Sequence, residues 1–215
     1  MSGALCLTGV RIDVASRALI EPLDLTIKPG ECVTLMGPSG SGKSTLLAHI
    51  AGTLDPAFRG RGRFFIGGDE ITHVAPQARG IGIQFQDDLL FPHLSVGGNL
   101  AFALPSDIRG REARRAAVEQ ALREADLEGF ADRDPATLSG GQRARVALMR
   151  TLLAKPRALL LDEPFSKLDT ALRSDVRRFV FEHAAERGLP ALLVTHDETD
   201  ARAAGGPVLM LTAAR

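Results

Sequence analysis

The chain has 215 residues, enough for about one domain carrying a sizeable sub-domain. Its 26 Lys and Arg cancel its 26 Asp and Glu, and 45% hydrophobic with 24% charged residues is ordinary for a globular protein. These figures exclude disordered, collagen-like and disulfide-dense classes, and a zero net charge gives no strong pull toward polyanions. Along the chain, apolar and β-branched residues predict short strands over Leu5–Val14, Leu23–Ile27 and Cys32–Met36, with Lys28-Pro29-Gly30 as a turn. A Gly-rich loop, Gly37 to Gly42, then opens a helical pattern at Leu46, Leu47 and Ile50. Further β-like pieces follow at Arg63–Ile66 and Gly80–Phe85. From Arg109 to Ala154 the composition turns helical, with Val118, Leu122 and Ala125 at i, i+4 and i+7. Pro156 closes that stretch, and Ala158–Leu161 is a continuous apolar strand suited to a parallel sheet. Helix (Thr170–Arg187), strand (Ala191–Thr195), helix (Asp197–Ala204) and strand (Val208–Leu211) complete a βα rhythm that predicts a doubly wound α/β sheet.

Other classes fall away on simple grounds. Runs such as Ala158–Leu161 are far below the ~18 apolar residues that span a bilayer. The first residues lack the basic and apolar regions of a secretory signal. Cys6 and Cys32 stand far apart without a C-x-x-C, which fits a reduced cytosolic protein. Trp and Tyr are absent.

Gly37-Pro38-Ser39-Gly40-Ser41-Gly42-Lys43-Ser44-Thr45 satisfies G-x-x-x-x-G-K-[ST] between a predicted strand and a predicted helix. Glycines let backbone N–H groups turn around a phosphate, and the helix N-terminus adds its positive end. Lys43 supplies a charge and Ser44 a hydroxyl for Mg²⁺, so the segment predicts nucleoside triphosphate binding. Leu159-Leu160-Leu161-Asp162-Glu163-Pro164 places two carboxylates at the end of a buried strand, where open α/β sheets hold ligands. Asp162 suits Mg²⁺, and Glu163 suits polarising a water. Leu138-Ser139-Gly140-Gly141-Gln142-Arg143 reads as a capping box, Ser139 with Gln142. Two glycines in a first turn cost roughly 1 kcal/mol each relative to Ala, so they suggest that something approaches the backbone there. This is a second phosphate-binding helix tip.

These motifs, in this order, together with Ser166-Lys167-Leu168-Asp169 and Val194-Thr195-His196-Asp197, resemble the ATP-binding subunit of an ATP-binding-cassette (ABC) transporter. The likeness runs through the whole chain, and LSGGQ is its specific part. It implies a phosphate-loop, RecA-like sheet core with an N-terminal antiparallel β sub-domain and an inserted helical sub-domain. The whole chain is then one cassette, with 1–86 and 157–215 as nucleotide-binding core and 87–156 as the helical part. The resemblance further implies that Gln86 senses Mg²⁺ and γ-phosphate, that Glu163 is the base, that His196 holds Glu163 and water in line, and that Asp169 lies at a dimer seam. Lys43 and the Ser139-Gly140-Gly141-Gln142 tip would stabilise the transferring phosphoryl, with the tip supplied by a second copy paired head to tail in an ATP-dependent dimer.

The other partners implied are an integral-membrane permease contacting the region Gln86–Val96 and a solute-binding protein, with ATP and Mg²⁺ bound, no nucleic acid, and a peripheral position on the cytoplasmic face of the membrane. Phe91-Pro92-His93-Leu94-Ser95-Val96 resembles the loop that receives the permease in importers, although an apolar, Pro-bearing loop equally suits local packing. The sequence is similar to importer cassettes of the thiamine, spermidine and iron group, and with 19 residues after His196 a C-terminal regulatory domain is not expected. A soluble cassette acting on nucleic acid or ribosomes, or a plain phosphate-loop kinase, fits less well: there is one cassette and no heptad run, and a kinase leaves LSGGQ and His196 without a task. One departure stands out. Family members place an aromatic for adenine near the position of Val14, whereas the first aromatic here is Phe58. Adenine is therefore expected on aliphatic side chains, with weaker discrimination between ATP and GTP than in members that carry the aromatic. Arg143, Arg145, Arg150, Lys155 and Arg157 form an acid-free stretch that could attract phosphate and reads more simply as a solvated helix face, and His49, His73, His93 and His183 are read as structural.

Overall fold

The computed structural model describes residues 3–15 and 17–211. The described chain divides into two compact units, one within 3–83, 157–163 and 181–211, the other within 84–156 and 164–180.

The first unit contains two sheets. β1 (Leu5–Val14) pairs antiparallel with β2 (Arg17–Ile27) and with β4 (Phe58–Ile66), and β5 (Asp69–Glu70) extends the order to β2-β1-β4-β5. Leu5, Leu7, Val10 and Ile12 of β1 are buried. The side changes after Leu7 because the register shifts at Gly9 (φ 57), a bulge that re-aims the strand. Opposite it, Gly62 sits at φ 108, and a Cβ there would lie 2.6 Å from Val10 Cα. Both β2 and β4 are longer than their apolar patterns suggest. The Arg59-Gly60-Arg61-Gly62 half of β4 carries no hydrophobic signal, and its ladder to β1 makes it a strand.

The second sheet has the order β6 (Ile81–Gln84), β7 (Ala158–Asp162), β8 (Ala191–Val194), β3 (Cys32–Met36), β9 (Val208–Met210). Pairing of β7 with β8, β8 with β3 and β3 with β9 is parallel. Leu159, Leu160, Leu161, Leu192 and Leu193 are completely buried, which explains why these strands are continuously apolar rather than alternating. Helix α1 (Lys43–Ala51) adds Leu46, Leu47 and Ile50 to the core they share with Leu35, Phe64 and Val194. Its C-terminal end is fixed by Gly52 in the left-handed region (φ 82) and by the buried Arg79. That guanidinium donates to the carbonyls of His49 and Ile50 and also to those of Thr72 and Val74.

The second unit is helical: α2 (Val96–Phe102), α3 (Arg111–Glu124), α4 (Gly140–Leu153) and the start of α5 (Thr170–Glu186). α3 buries Val118, Ala121 and Leu122, and α4 buries Val146, Ala147, Leu148, Met149 and Leu152. The stretch read as uniformly helical from Arg109 to Ala154 is in fact two helices. Asp126 (φ 57), Gly129 (φ 79) and a 3₁₀ turn at Pro135–Thr137 break it. α2, which the sequence reading lacked, contains two glycines and is closed by packing: Gly97 N–H donates to the Ala131 carbonyl at 2.8 Å. α6 (Glu198–Ala204) returns to the first unit.

Because Leu160 is fully enclosed, Leu160→Ala is expected to cost about 2–5 kcal/mol of unfolding free energy with an unchanged denaturant slope. A urea titration checks this, and a loss under 1 kcal/mol would contradict the assigned core.

Candidate active site

The loop between β3 and α1 is set by glycine geometry. A Cβ on Gly37 would lie 2.4 Å from the Leu211 carbonyl oxygen, and Gly42 holds φ 89 immediately before the helix. Lys43 is 7% exposed, yet its ammonium is satisfied: Nζ donates to the carbonyls of Gly37 at 2.8 Å and Pro38 at 2.9 Å. Two of its three donors hold the loop, leaving one for a ligand anion. α1 has neither a side-chain cap nor an acidic residue in its first turn, so its N–H groups and positive end are uncompensated. Ser41 Oγ is buried in the same loop with no hydrogen-bond partner among the described residues. An orphaned hydroxyl, a confined ammonium and a bare helix N-terminus together suit a phosphate chain. A cavity of about 350 Å³ opens here, lined by Ser39, Lys43, Ser44, Thr45, Glu163, Leu19 and Phe58 among others.

The carboxylates reach this loop because β7 and β8 are parallel and in register, Asp162 opposite Val194. Glu163 N–H donates to the Val194 carbonyl at 2.9 Å, which brings the residues after both strands side by side. Ser44 Oγ donates to Asp162 Oδ1 at 3.0 Å, and His196 Nδ1 lies 3.1 Å from Glu163 Oε1. Glu163 holds φ 46, a strained backbone for a non-glycine residue and of the kind that gathers at functional sites. The His196 loop is fixed by a buried pair absent from the sequence reading: Thr195 Oγ1 donates to Asp200 Oδ2 at 2.9 Å and accepts from Asp197 N–H. Burial pushes the Asp162 carboxyl above its ordinary value and the Glu163 charge adds to the rise, against the Ser44 hydrogen bond and the Lys43 charge. A half-buried carboxylate beside a hydroxyl is a hard-oxygen pair suited to a divalent cation. Among the described residues no group of three or more His, Cys, Asp and Glu could hold one alone.

The remaining predicted site residues lie in the second unit. Ser139 caps α4: its Oγ accepts from Gln142 N–H, and Gln142 Oε1 accepts from Ser139 N–H at 2.9 Å, the full capping box. A Cβ on Gly140 or Gly141 would meet nothing nearer than 3.4 Å or 3.5 Å, so nothing among the described residues demands glycine at either position. Gln86 is exposed. Asp169 Oδ1 accepts from Leu172 N–H and so helps to start α5. Ion pairs tie these loops together: Asp87 with Lys167, and Asp88 with Arg143 at 3.3 Å. Arg150 donates to the carbonyls of Asp88 and Leu89.

The basic stretch is thus not a solvated face. Arg143, Arg145, Arg150 and Lys155 each bind a named acid or carbonyl of this unit, and Arg157 binds Asp69 and the Ile66 carbonyl of the first. His49 is structural, edge-on to Phe64, with its pKa lowered by burial.

Fold and site together define a phosphate-loop nucleoside triphosphatase. The family model described as ABC transporter matches residues 20–166. The ABC transporter ATP-binding protein YnjD of Escherichia coli K12 is 49% identical over 91% of this chain and 90% of its own length. The Fe(3+) ions import ATP-binding protein FbpC of the same organism is 43% identical over 91% of this chain, which spans 56% of that relative. Among solved structures, the dimeric bacterial ABC transporter cassette MJ0796 matches with a TM-score of 0.78 at 32% identity, over 96% of this chain and 94% of that one. Its post-hydrolysis state bound to ADP and Pi matches with a TM-score of 0.79 at 31% identity, over 97% of this chain and 94% of that one. The chain belongs to the ABC transporter family.

A carboxyl raised by burial makes the folded state hold its proton to higher pH than the unfolded chain does. Stability is therefore lost as pH rises from the ordinary carboxylate range through the folded value, and the cost persists at neutral pH. Without nucleotide or divalent cation, Asp162→Asn is expected to be more stable than the parent at pH 7, with the gain shrinking in acid. Urea midpoints at both pH values test this, and destabilisation at pH 7 would contradict it.

Proposed function

We propose that this chain is the ATP-hydrolysing motor of an import system, working as a head-to-tail pair on a separate membrane permease. The observation that carries the reading is the apposition of Ser44 with Asp162 and of His196 with Glu163 over the bare N-terminus of α1. Residues 37–45 hold the triphosphate. Ser44 and Asp162 would hold Mg²⁺, which would neutralise charge on the phosphates, and Gln86 is added to them by the family resemblance alone. Glu163, at the end of β7, takes the proton of the attacking water. With Nδ1 of His196 on Glu163, Nε2 of the same ring is left to face the γ-phosphate. Lys43 stabilises the charge that builds on the transferring group.

The partner copy would close this site with its Ser139–Gln142 tip. The room for a Cβ at Gly140 and Gly141 supports that reading, because glycine there suits an approach from outside the chain. Asp169 would lie along the same seam. ATP shared by two copies favours the closed pair, and loss of phosphate releases it.

The permease contact is read at Gln86–Val96 and extends to Phe102. Phe85, Leu89 and Phe102 are 45%, 57% and 69% exposed, unusual for large apolar side chains. Phe102 stands edge-on to Phe91 at 4.8 Å, and the completely buried Asn99 ties the loop shut through Phe91, Leu94 and Ser95. A rigid apolar surface loses little entropy on docking. Among the described residues no helix is long and apolar enough to cross a membrane. Attachment to the cytoplasmic face would run through the permease. A solute-binding protein in the same system would choose the cargo.

Glu163→Gln is expected to bind ATP without turnover and to elute as a dimer from a sizing column in ATP and Mg²⁺, while the parent with ADP elutes as a monomer. A variant that retains nucleotide yet stays monomeric would refute the pairing.

A further inference from the structure

The cavity beside the phosphate loop has a mixed lining: Ser39, Lys43, Ser44, Thr45 and Glu163 are polar, and Leu19 and Phe58 are its large apolar side chains. A triphosphate seated on the loop engages the polar groups, and Leu19 and Phe58 are the apolar surface that the same cavity offers to the sugar and base that follow it. From this arrangement we propose that Phe58 is the platform on which the purine base stacks, a role that deepens the ATP-site reading and rests on it.

The ring is well placed to be rigid. Phe58 is the first residue of β4 and pairs directly across the antiparallel ladder with Val14, the last residue of β1. The pairs Asp13 with Arg59, Ile12 with Gly60 and Arg11 with Arg61 pin that register. A slip of one residue would send Phe58 to the opposite face, where Arg59 and Arg61 now line a separate cavity. Phe58 N–H donates to the Asp55 carbonyl at 2.9 Å, closing the turn before the strand. The side chain is half-buried: it packs against the hydrophobic core and also borders the cavity. Leu19 abuts the loop itself, 2.9 Å from where a Cβ on Gly42 would lie. On this proposal the base meets an aromatic that comes from β4, and not only the aliphatic side chains expected from the sequence. Base–aromatic stacking tolerates any base, so the platform serves GTP as well as ATP.

The test compares ATP with tripolyphosphate, which carries the phosphates without the base, by titration calorimetry in EDTA, where hydrolysis does not run. Phe58→Ala is expected to weaken ATP binding about 5- to 150-fold, the effect of removing one base–aromatic stack, and to leave tripolyphosphate unchanged. Phe58→Leu keeps apolar packing should the alanine variant fold poorly, and is expected to move in the same direction. Phe58→Trp gives the chain its only indole, whose emission ATP should quench and tripolyphosphate should not. Binding of ATP within twofold of the parent by Phe58→Leu, or equal losses for both ligands, would overturn the platform while leaving the phosphate site standing. A parent that binds neither ligand would overturn the ATP-site reading, and the platform with it.

Discussion

The short turn from Gly37 to Gly42, closed by the Lys43 ammonium on the carbonyls of Gly37 and Pro38, is the constraint from which the first unit is organised. It requires a buried strand to deliver the chain and a helix to carry it away, with no side chain where Leu211 presses on Gly37. The parallel register of β7 and β8 then decides which groups meet it. With Asp162 opposite Val194, Asp162 falls against Ser44, and Glu163 faces His196. Shifting that register by one residue would replace a carboxylate with a buried leucine. The site therefore has its accuracy from sheet packing and not from its own hydrogen bonds, of which the Glu163–His196 contact is substantially solvent-exposed and weak.

In the second unit the organising device is ionic. Asp87 and Asp88 directly follow Gln86, Lys167 lies two residues before Asp169, and Arg143 directly follows Gln142. The pairs Asp87–Lys167 and Asp88–Arg143 thus bind three motif loops into one body. Surface ion pairs contribute little to stability, but a network of this kind sets geometry at modest energetic cost. Asp88 is also partly withdrawn from water, and its carboxyl is raised by that burial despite Arg143 and Arg150. Its energy is spent on holding position.

Signals that are local in the chain were legible, and those that depend on pairing were not. The phosphate loop, the capping box at Ser139 and Gln142, and the continuous apolar β7 and β8 are each written in consecutive residues, and each appears where it was expected. β4 was seen only in its Arg63–Ile66 half, since Arg59-Gly60-Arg61-Gly62 becomes a strand through its ladder to β1. Phe58 carries no local signal for the site for the same reason: its place beside the phosphate loop depends on pairing with Val14, 44 positions away in sequence. Asn99 and the Thr195–Asp200 pair are single polar residues in apolar surroundings, whose roles exist only once burial has removed water. α2 carries two glycines and depends on tertiary packing, which propensity does not record.

The central claim is that each triphosphate is enclosed by the loop of one copy and the helix tip of another. The most direct measurement mixes two inactive variants, Lys43→Ala and Ser139→Arg, in equal amounts and follows phosphate release from ATP. Alone, each variant lacks one half of every site. Together they form mixed pairs in which one of the two sites joins an intact loop to an intact tip, and about a quarter of the parent activity should return if pairing is random. A mixture as inactive as its components would contradict the account.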